Sequence, residues 1–187
     1  MLQKALAICF QLEGGESNDP NDRGGQTKYG ISKKAYPYLD IGNLTREQAE
    51  KILQRDYWVP AGCEFVKNPN IAINLFLFAV NAGVQTSVKA FQRAYNKYVY
   101  EYFVFPTKIN AHQVKSTIEQ AGLLAEDGVL GQQTIKAMSN AGFTDRFFSL
   151  FYYEILHHYL QVIAKYPSQI KYLNGWVKRI IVENKKD

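Results

Sequence analysis

Apolar positions in the first twelve residues recur at helical steps. Leu2, Leu6, Cys9 and Glu13 follow one another by four, three and four, with Ala5 and Phe10 beside them. Gly14-Gly15 stop this helix, so Glu13 falls in its last turn and on its apolar stripe. The periodicity then lapses across residues 16–31, where Gln26-Thr27-Lys28-Tyr29 reads as a short strand. Ser32 is placed to cap a short helix ending near Pro37, and Thr45-x-x-Gln48 is a capping box opening a helix to about Tyr57. Residues 70–80, NIAINLFLFAV, are apolar nearly all round and predict a buried central helix closed by Asn81-Ala82-Gly83.

The second half continues in helical periods. Thr86 is set to cap the helix TSVKAFQRAYNKY, and the aromatic stretch 98–108 reads either as its extension or as an edge hairpin. A helix is expected over 111–125, a turn at Asp127-Gly128, and a short helix from Gly131 to Asn140. Thr144 should cap a long helix, DRFFSLFYYEILHHYLQVIAKY, whose stripe Phe147, Phe148, Leu150, Phe151 and Ile155 reads as core. A last helix covers about 170–183. The fold class is mainly α with a small irregular or β segment near residues 16–31. No internal repeat or flexible joint appears, and a boundary near residue 90 divides the chain into 1–90 and 91–187.

Composition narrows the class without deciding it. The chain has 187 residues, 47% hydrophobic and 21% charged, with net charge +5 and a pI near 9.1. That is globular composition with a preference for anionic surroundings such as a cell wall, a lipid surface or nucleic acid. A nucleic-acid partner is not expected, since no element interleaves a Lys/Arg stripe with aromatics. No apolar run reaches the roughly 18 residues of a membrane span, and the N-terminal segment reads as mature protein without a cleavable signal. Cys9 and Cys63 are expected as buried, unbridged thiols. His157 and His158 are adjacent and face different sides of a helix, so neither metal nor cofactor is expected.

The chemistry concentrates in EGGESNDPNDRGGQTKYGIS, residues 13–32, which sets Glu13, Glu16, Asp19 and Asp22 among turn-forming glycines. A carboxyl at a helix C-terminus on an apolar stripe is disfavoured as an anion, which suits a general acid. Asp22, on a turn-rich loop, stays ionised, and Thr27 offers a hydroxyl for holding a water. A protonated acid facing an ionised carboxylate is a glycosidase arrangement. Asp19 precedes Pro20 and also reads as a turn former, while Glu16 reads as a solvated loop charge.

This stretch resembles the signature of glycoside hydrolase family 108, the N-acetylmuramidases of phage lysis cassettes, also described as secretion activators. Arg55-Asp56-Tyr57-Trp58, Phe78-Ala79-Val80-Asn81-Ala82-Gly83 and Gly175-Trp176-x-x-Arg179 agree with it. The spacing of Glu13, Asp22 and Thr27 is also similar to the catalytic trio of phage-type lysozymes. The resemblance implies a lysozyme-like fold, cleavage of the β-1,4 bond between N-acetylmuramic acid and N-acetylglucosamine, and Glu13 as catalytic acid. Gln92-Arg93-Ala94 with Asp127-Gly128-Val129-Leu130-Gly131-x-x-Thr134 resembles the peptidoglycan-binding region that follows in this family.

Candidate substrate contacts are Asp19, Gln26, Tyr29, Tyr57, Trp58, Asn81, Asp127 and Trp176. The binding half is expected to use neutral contacts, with its basic end adding a screened attraction. Peptidoglycan is the implied partner, with a holin or a secretion system as the delivering agent from the bacterial cytoplasm to the wall. Two positions depart from the family pattern. Glu16 stands where an aromatic is expected, and Leu77 where an acidic residue is expected two before Ala79. Leu77 keeps a non-catalytic wall-binding relative open as the alternative.

Overall fold

The structure is a computed structural model that describes residues 1–13, 25–101, 122–139, 143 and 145–181, with the side chains of 13 and 181 left aside. Helix α1 (Leu2–Glu13) buries Ala5, Leu6 and Cys9 and ends at the residue its apolar spacing indicates. Strands β1 (Thr27–Lys28) and β2 (Ile31–Ser32) pair antiparallel, Thr27 with Ser32 and Lys28 with Ile31. The loop between them is Tyr29-Gly30, both at positive φ (55° and 78°), the twist that suits a two-residue hairpin.

Ser32 does not open a helix. Its backbone is committed to β2, and its hydroxyl and carbonyl hold a single turn by accepting from the Ala35 and Tyr36 N–H groups. Pro37 follows at once and offers no N–H to carry the turn onward.

Helix α2 (Arg46–Leu53) starts at the expected capping box, with Thr45 and Gln48 each bonding the other's backbone N–H. It widens into a π turn over Gln54–Trp58, where the Val59 N–H reaches back to the Gln54 carbonyl at 3.0 Å. A short 3-10 turn (Cys63–Phe65) leads to α3 (Pro69–Ala82). Asn68 caps α3 and Pro69 takes its first position, where a missing N–H costs nothing. Ile71 through Ala79 are all buried, so α3 is the central rod that its all-round apolarity predicts.

Helix α4 (Val84–Val99) follows after Gly83 alone. Thr86 is therefore inside α4 and caps nothing, and the Gly83 carbonyl accepts the Ser87 N–H instead. The helix continues in π form through Tyr100 and Glu101, which favours the extension over the hairpin for the described part of 98–108. Residues 122–125 are not helical, although a helix to Ala125 was expected. The Asn96 side-chain amide takes both backbone groups of Leu124, donating to its carbonyl at 2.9 Å and accepting from its N–H at 2.8 Å. Those bonds stand in for the ones a helix would make.

Helix α5 (Gln132–Met138), the long α6 (Asp145–Lys165), a 3-10 turn (Pro167–Tyr172) and α7 (Leu173–Ile181) complete the order. Expected features at Thr144, 102–121 and 182–183 lie outside the described residues. The core is one cluster running from α1 through α3 and α4 to α6 and Ile180. Phe91 of α4 packs on Phe143, Phe147 and Phe151, with Phe143 and Phe147 stacked at 4.0 Å. Buried Ser87 donates to the Leu75 carbonyl at 2.6 Å and ties α4 onto α3. Residue 90 thus lies mid-helix, in an element packed on both sides. Cys9 and Cys63 are buried and unbridged, and burial pushes the Cys63 thiol well up.

Candidate functional site

Glu13 closes α1, so its backbone stands at the negative end of the helix dipole. Phe10, one turn earlier on α1, meets the ring of Tyr29 edge-on at 5.3 Å, and the Arg46 guanidinium lies over Phe10 at 4.8 Å. The β hairpin is thereby seated beside the end of α1 that carries Glu13. Lys28 anchors the other flank by donating to the Gly42 carbonyl at 2.6 Å. Thr27, on β1, is half-buried, and its hydroxyl donates to the Gly25 carbonyl at 3.1 Å. With its proton so placed, that oxygen presents lone pairs to anything else. Gln26 leads into β1, and its carbonyl accepts from the Lys33 N–H at 2.8 Å. Glu16, Asp19 and Asp22, with the side chain of Glu13, lie outside the described residues.

The π turn builds a second polar cluster. Arg55 grips Asp56 through both carboxylate oxygens (2.6 and 2.7 Å), and Tyr36 donates its phenol proton to the same carboxylate at 2.8 Å. The Arg55 hydrogen bond holds the Asp56 carboxyl below the usual range, while burial raises the Tyr36 and Tyr57 phenols. Tyr57 remains half-buried against the core. Trp58 is only 4% exposed and packs on Phe76 with centroids 5.7 Å apart, so its faces serve the core and offer no platform for a sugar ring. Asn81 is exposed in the last turn of α3, and Gly83, not Asn81, closes that helix.

Asp127 has a structural task. Its Oδ1 accepts from the Gln92 side-chain amide (3.0 Å) and from the Val129 N–H (2.8 Å), and the Val129 bond leads in holding its carboxyl below the ordinary value. Gln92, fully buried, also donates to the Val129 carbonyl and the Thr134 hydroxyl, and accepts from the Gly128 N–H at 2.8 Å. Gly128 sits at φ +75°, where a Cβ would meet the Gln85 carbonyl at 2.4 Å. Sequence reasoning grouped Gln92, Asp127, Gly128 and Thr134 by family pattern, and their hydrogen bonds knot the loop before α5 onto α4. Trp176 is half-buried, stacked on buried Tyr159 at 4.8 Å and tilted to Tyr172.

Between α4 and α6 lies a cavity of about 300 Å³ that sequence reasoning did not anticipate, lined by Lys89, Arg93, Asp127, Glu154 and the two adjacent histidines. Its groups come from segments roughly thirty to seventy positions apart, so no local pattern announces it. Burial, and secondarily His157, lowers the pKa of His158, which meets Phe78 edge-on at 5.4 Å. Among the described residues no group of three or more His, Cys, Asp or Glu is placed to hold a metal. No helix among them is long and apolar enough to cross a membrane.

Two family models match separate parts of the chain. Residues 6–83 match the model of glycosyl hydrolase 108, and residues 117–181 match that of a predicted peptidoglycan domain. A search of curated protein sequences finds no match. Among solved structures, SagA of Brucella abortus is similar over 97% of this chain and 90% of that one, with a TM-score of 0.69 at 20% identity. That likeness is one of fold, mainly α and lysozyme-like, with a small antiparallel pair of strands. The chain thus carries a glycosyl hydrolase 108 region over residues 6–83, followed by a peptidoglycan-binding region over residues 117–181.

Proposed function

We propose that this peptidoglycan-acting glycosidase hydrolyses the β-1,4 bond between N-acetylmuramic acid and N-acetylglucosamine. One observation carries the reading: Glu13 closes α1 within the region that matches glycosyl hydrolase 108, beside a hairpin fastened by Phe10 and Tyr29. In this reading Glu13 is the general acid. The helix dipole disfavours its ionisation, which favours the protonated form that gives its proton to the leaving oxygen. Asp22 is the ionised partner. Thr27 orients a water through the lone pairs left free once its proton is given to Gly25. Gln26, Tyr29, Tyr57 and Asp19 are the nearby candidates for holding the glycan.

The reaction adds water across one glycosidic bond, so each event leaves one new reducing end. Digestion of purified sacculi is expected to release muropeptides whose new reducing ends are N-acetylmuramic acid. N-acetylglucosamine ends would shift the assignment to the other glycosidic bond of the wall. A second reading, a non-catalytic wall-binding relative, is favoured by Leu77, which is buried at 5% exposure where the family pattern suggests an acid. Binding to sacculi with no new reducing ends would establish it. Action is at the cell wall, with a holin or a secretion system as the delivering agent, for lysis or for wall remodelling linked to secretion. We assign catalysis to 1–90 and wall binding to 91–187, a division of labour across one continuous core.

A further inference from the structure

The cavity between α4 and α6 carries charge of both signs on a lining that mixes polar and apolar groups. Lys89 and Arg93 stand one turn apart on α4, and Asp127 lies against them from the loop before α5. Lys89 makes no ion pair among the described residues, and the Arg93–Glu126 pair is a partly exposed one at 3.2 Å. The Gln92 and Val129 hydrogen bonds to the Asp127 carboxylate both fall on Oδ1, and the Lys89 charge helps to keep that carboxyl ionised. Glu154, in the opposite wall, is buried and already neutralised by Lys97. The aromatic ring at the floor, Phe78, is 2% exposed and covered by His158.

A sugar site needs an open apolar or aromatic face with a few polar groups around it. Here the Phe78 ring is covered, and the groups that stand open to the groove include charges of both signs. We propose that it binds an amino-acid end bearing a carboxylate and an ammonium together, Lys89 and Arg93 taking the carboxylate and Asp127 the ammonium. In peptidoglycan such an end belongs to the stem peptide and not to the glycan strand. The inference rests on the reading that this chain acts on peptidoglycan, and it departs from the expectation of neutral contacts aided only by a screened attraction at the basic end. A cavity near 300 Å³ is at the small end for ligand sites, which fits one residue of a peptide better than a disaccharide.

The test is calorimetric titration of the full chain with a sugar-free stem tripeptide ending in a diamino acid. The same peptide with its carboxylates amidated serves as the charge control. The free peptide is expected to bind, and amidation is expected to weaken it at least tenfold. Lys89→Ala combined with Arg93→Ala should do the same without lowering Tm, since the one ion pair lost is exposed. Asp127→Asn keeps the accepting Oδ1 and hence the loop, and should weaken the peptide while leaving Tm in place. Equal affinity for the amidated peptide, or undiminished binding by the folded double variant, overturns the proposal. So does a failure of the free peptide to bind. Reducing ends without peptide binding sink this groove and leave the glycosidase reading standing. Peptide binding without reducing ends does the opposite.

Discussion

Replacing Glu13 by glutamine keeps the shape of the side chain and removes the proton that a general acid gives away. General acid catalysis contributes about 10²–10⁴-fold, so release of reducing ends from sacculi should fall by that order while binding persists. A folded Glu13→Gln protein with near-native rate would end the assignment. Asp22→Asn should act on the pH profile instead. The acidic limb of the rate reports deprotonation of the ionised partner, so it should disappear in this variant while the alkaline limb, set by Glu13, stays. The spacing Leu2, Leu6, Cys9, Glu13 and the glycines behind it made the end of α1 readable, because each signal is local. Trp58 was not readable in the same way. The π turn inserts an extra residue, so a 3.6-residue count cannot say which of Tyr57 and Trp58 turns inward.

The hydrogen-bond knot around Gln92 belongs to the scale of elements, since it holds a loop to a helix across 35 to 42 positions. Gln92→Ala leaves the Gly128 N–H and the Thr134 hydroxyl in the interior without that partner. A buried group so orphaned costs roughly 1–3 kcal/mol. For a chain of this size Tm should drop by roughly 2–12 °C. An unchanged Tm would mean that water replaces the side chain and that the knot is ornamental. The residues of this knot were legible, but their partnership was not, because no periodicity links a helix to a loop so far downstream. The same limit explains Ser32 and Thr86. Each has the chemistry of a cap, but pairing with Thr27 and the close joint at Gly83 claim their backbones first.

At the scale of the molecule, α4 makes one core out of both matched regions, so heating should give a single cooperative transition in calorimetry. Two resolved transitions would show two independent bodies. Between pH 5 and pH 7, above the range where the lowered carboxyls titrate, the pH dependence of that transition has an identifiable source in His158. Its folded pKa lies below the ordinary 6.5, chiefly through burial. Between those two values the unfolded chain binds more protons than the folded one, so stability rises with pH. The contribution is therefore complete above about pH 6.5 and is lost as pH falls through the folded value. Tm should fall between pH 7 and pH 5, and His158→Gln should flatten that part of the curve. An identical curve in the variant would place the proton uptake elsewhere.

Gly83 is the whole connection between α3 and α4, and α4 rises about 1.5 Å per residue without interruption through Arg93. A stiff rod with no slack in its mounting works as a ruler. If the stem peptide is gripped at Lys89 and Arg93, the strand it hangs from meets the cutting edge at one set offset. Fragment lengths would then come out in steps of the wall's own repeat rather than as a smooth spread. Loosening the mount by inserting a few glycines after Gly83 should blur those steps before it slows the cutting.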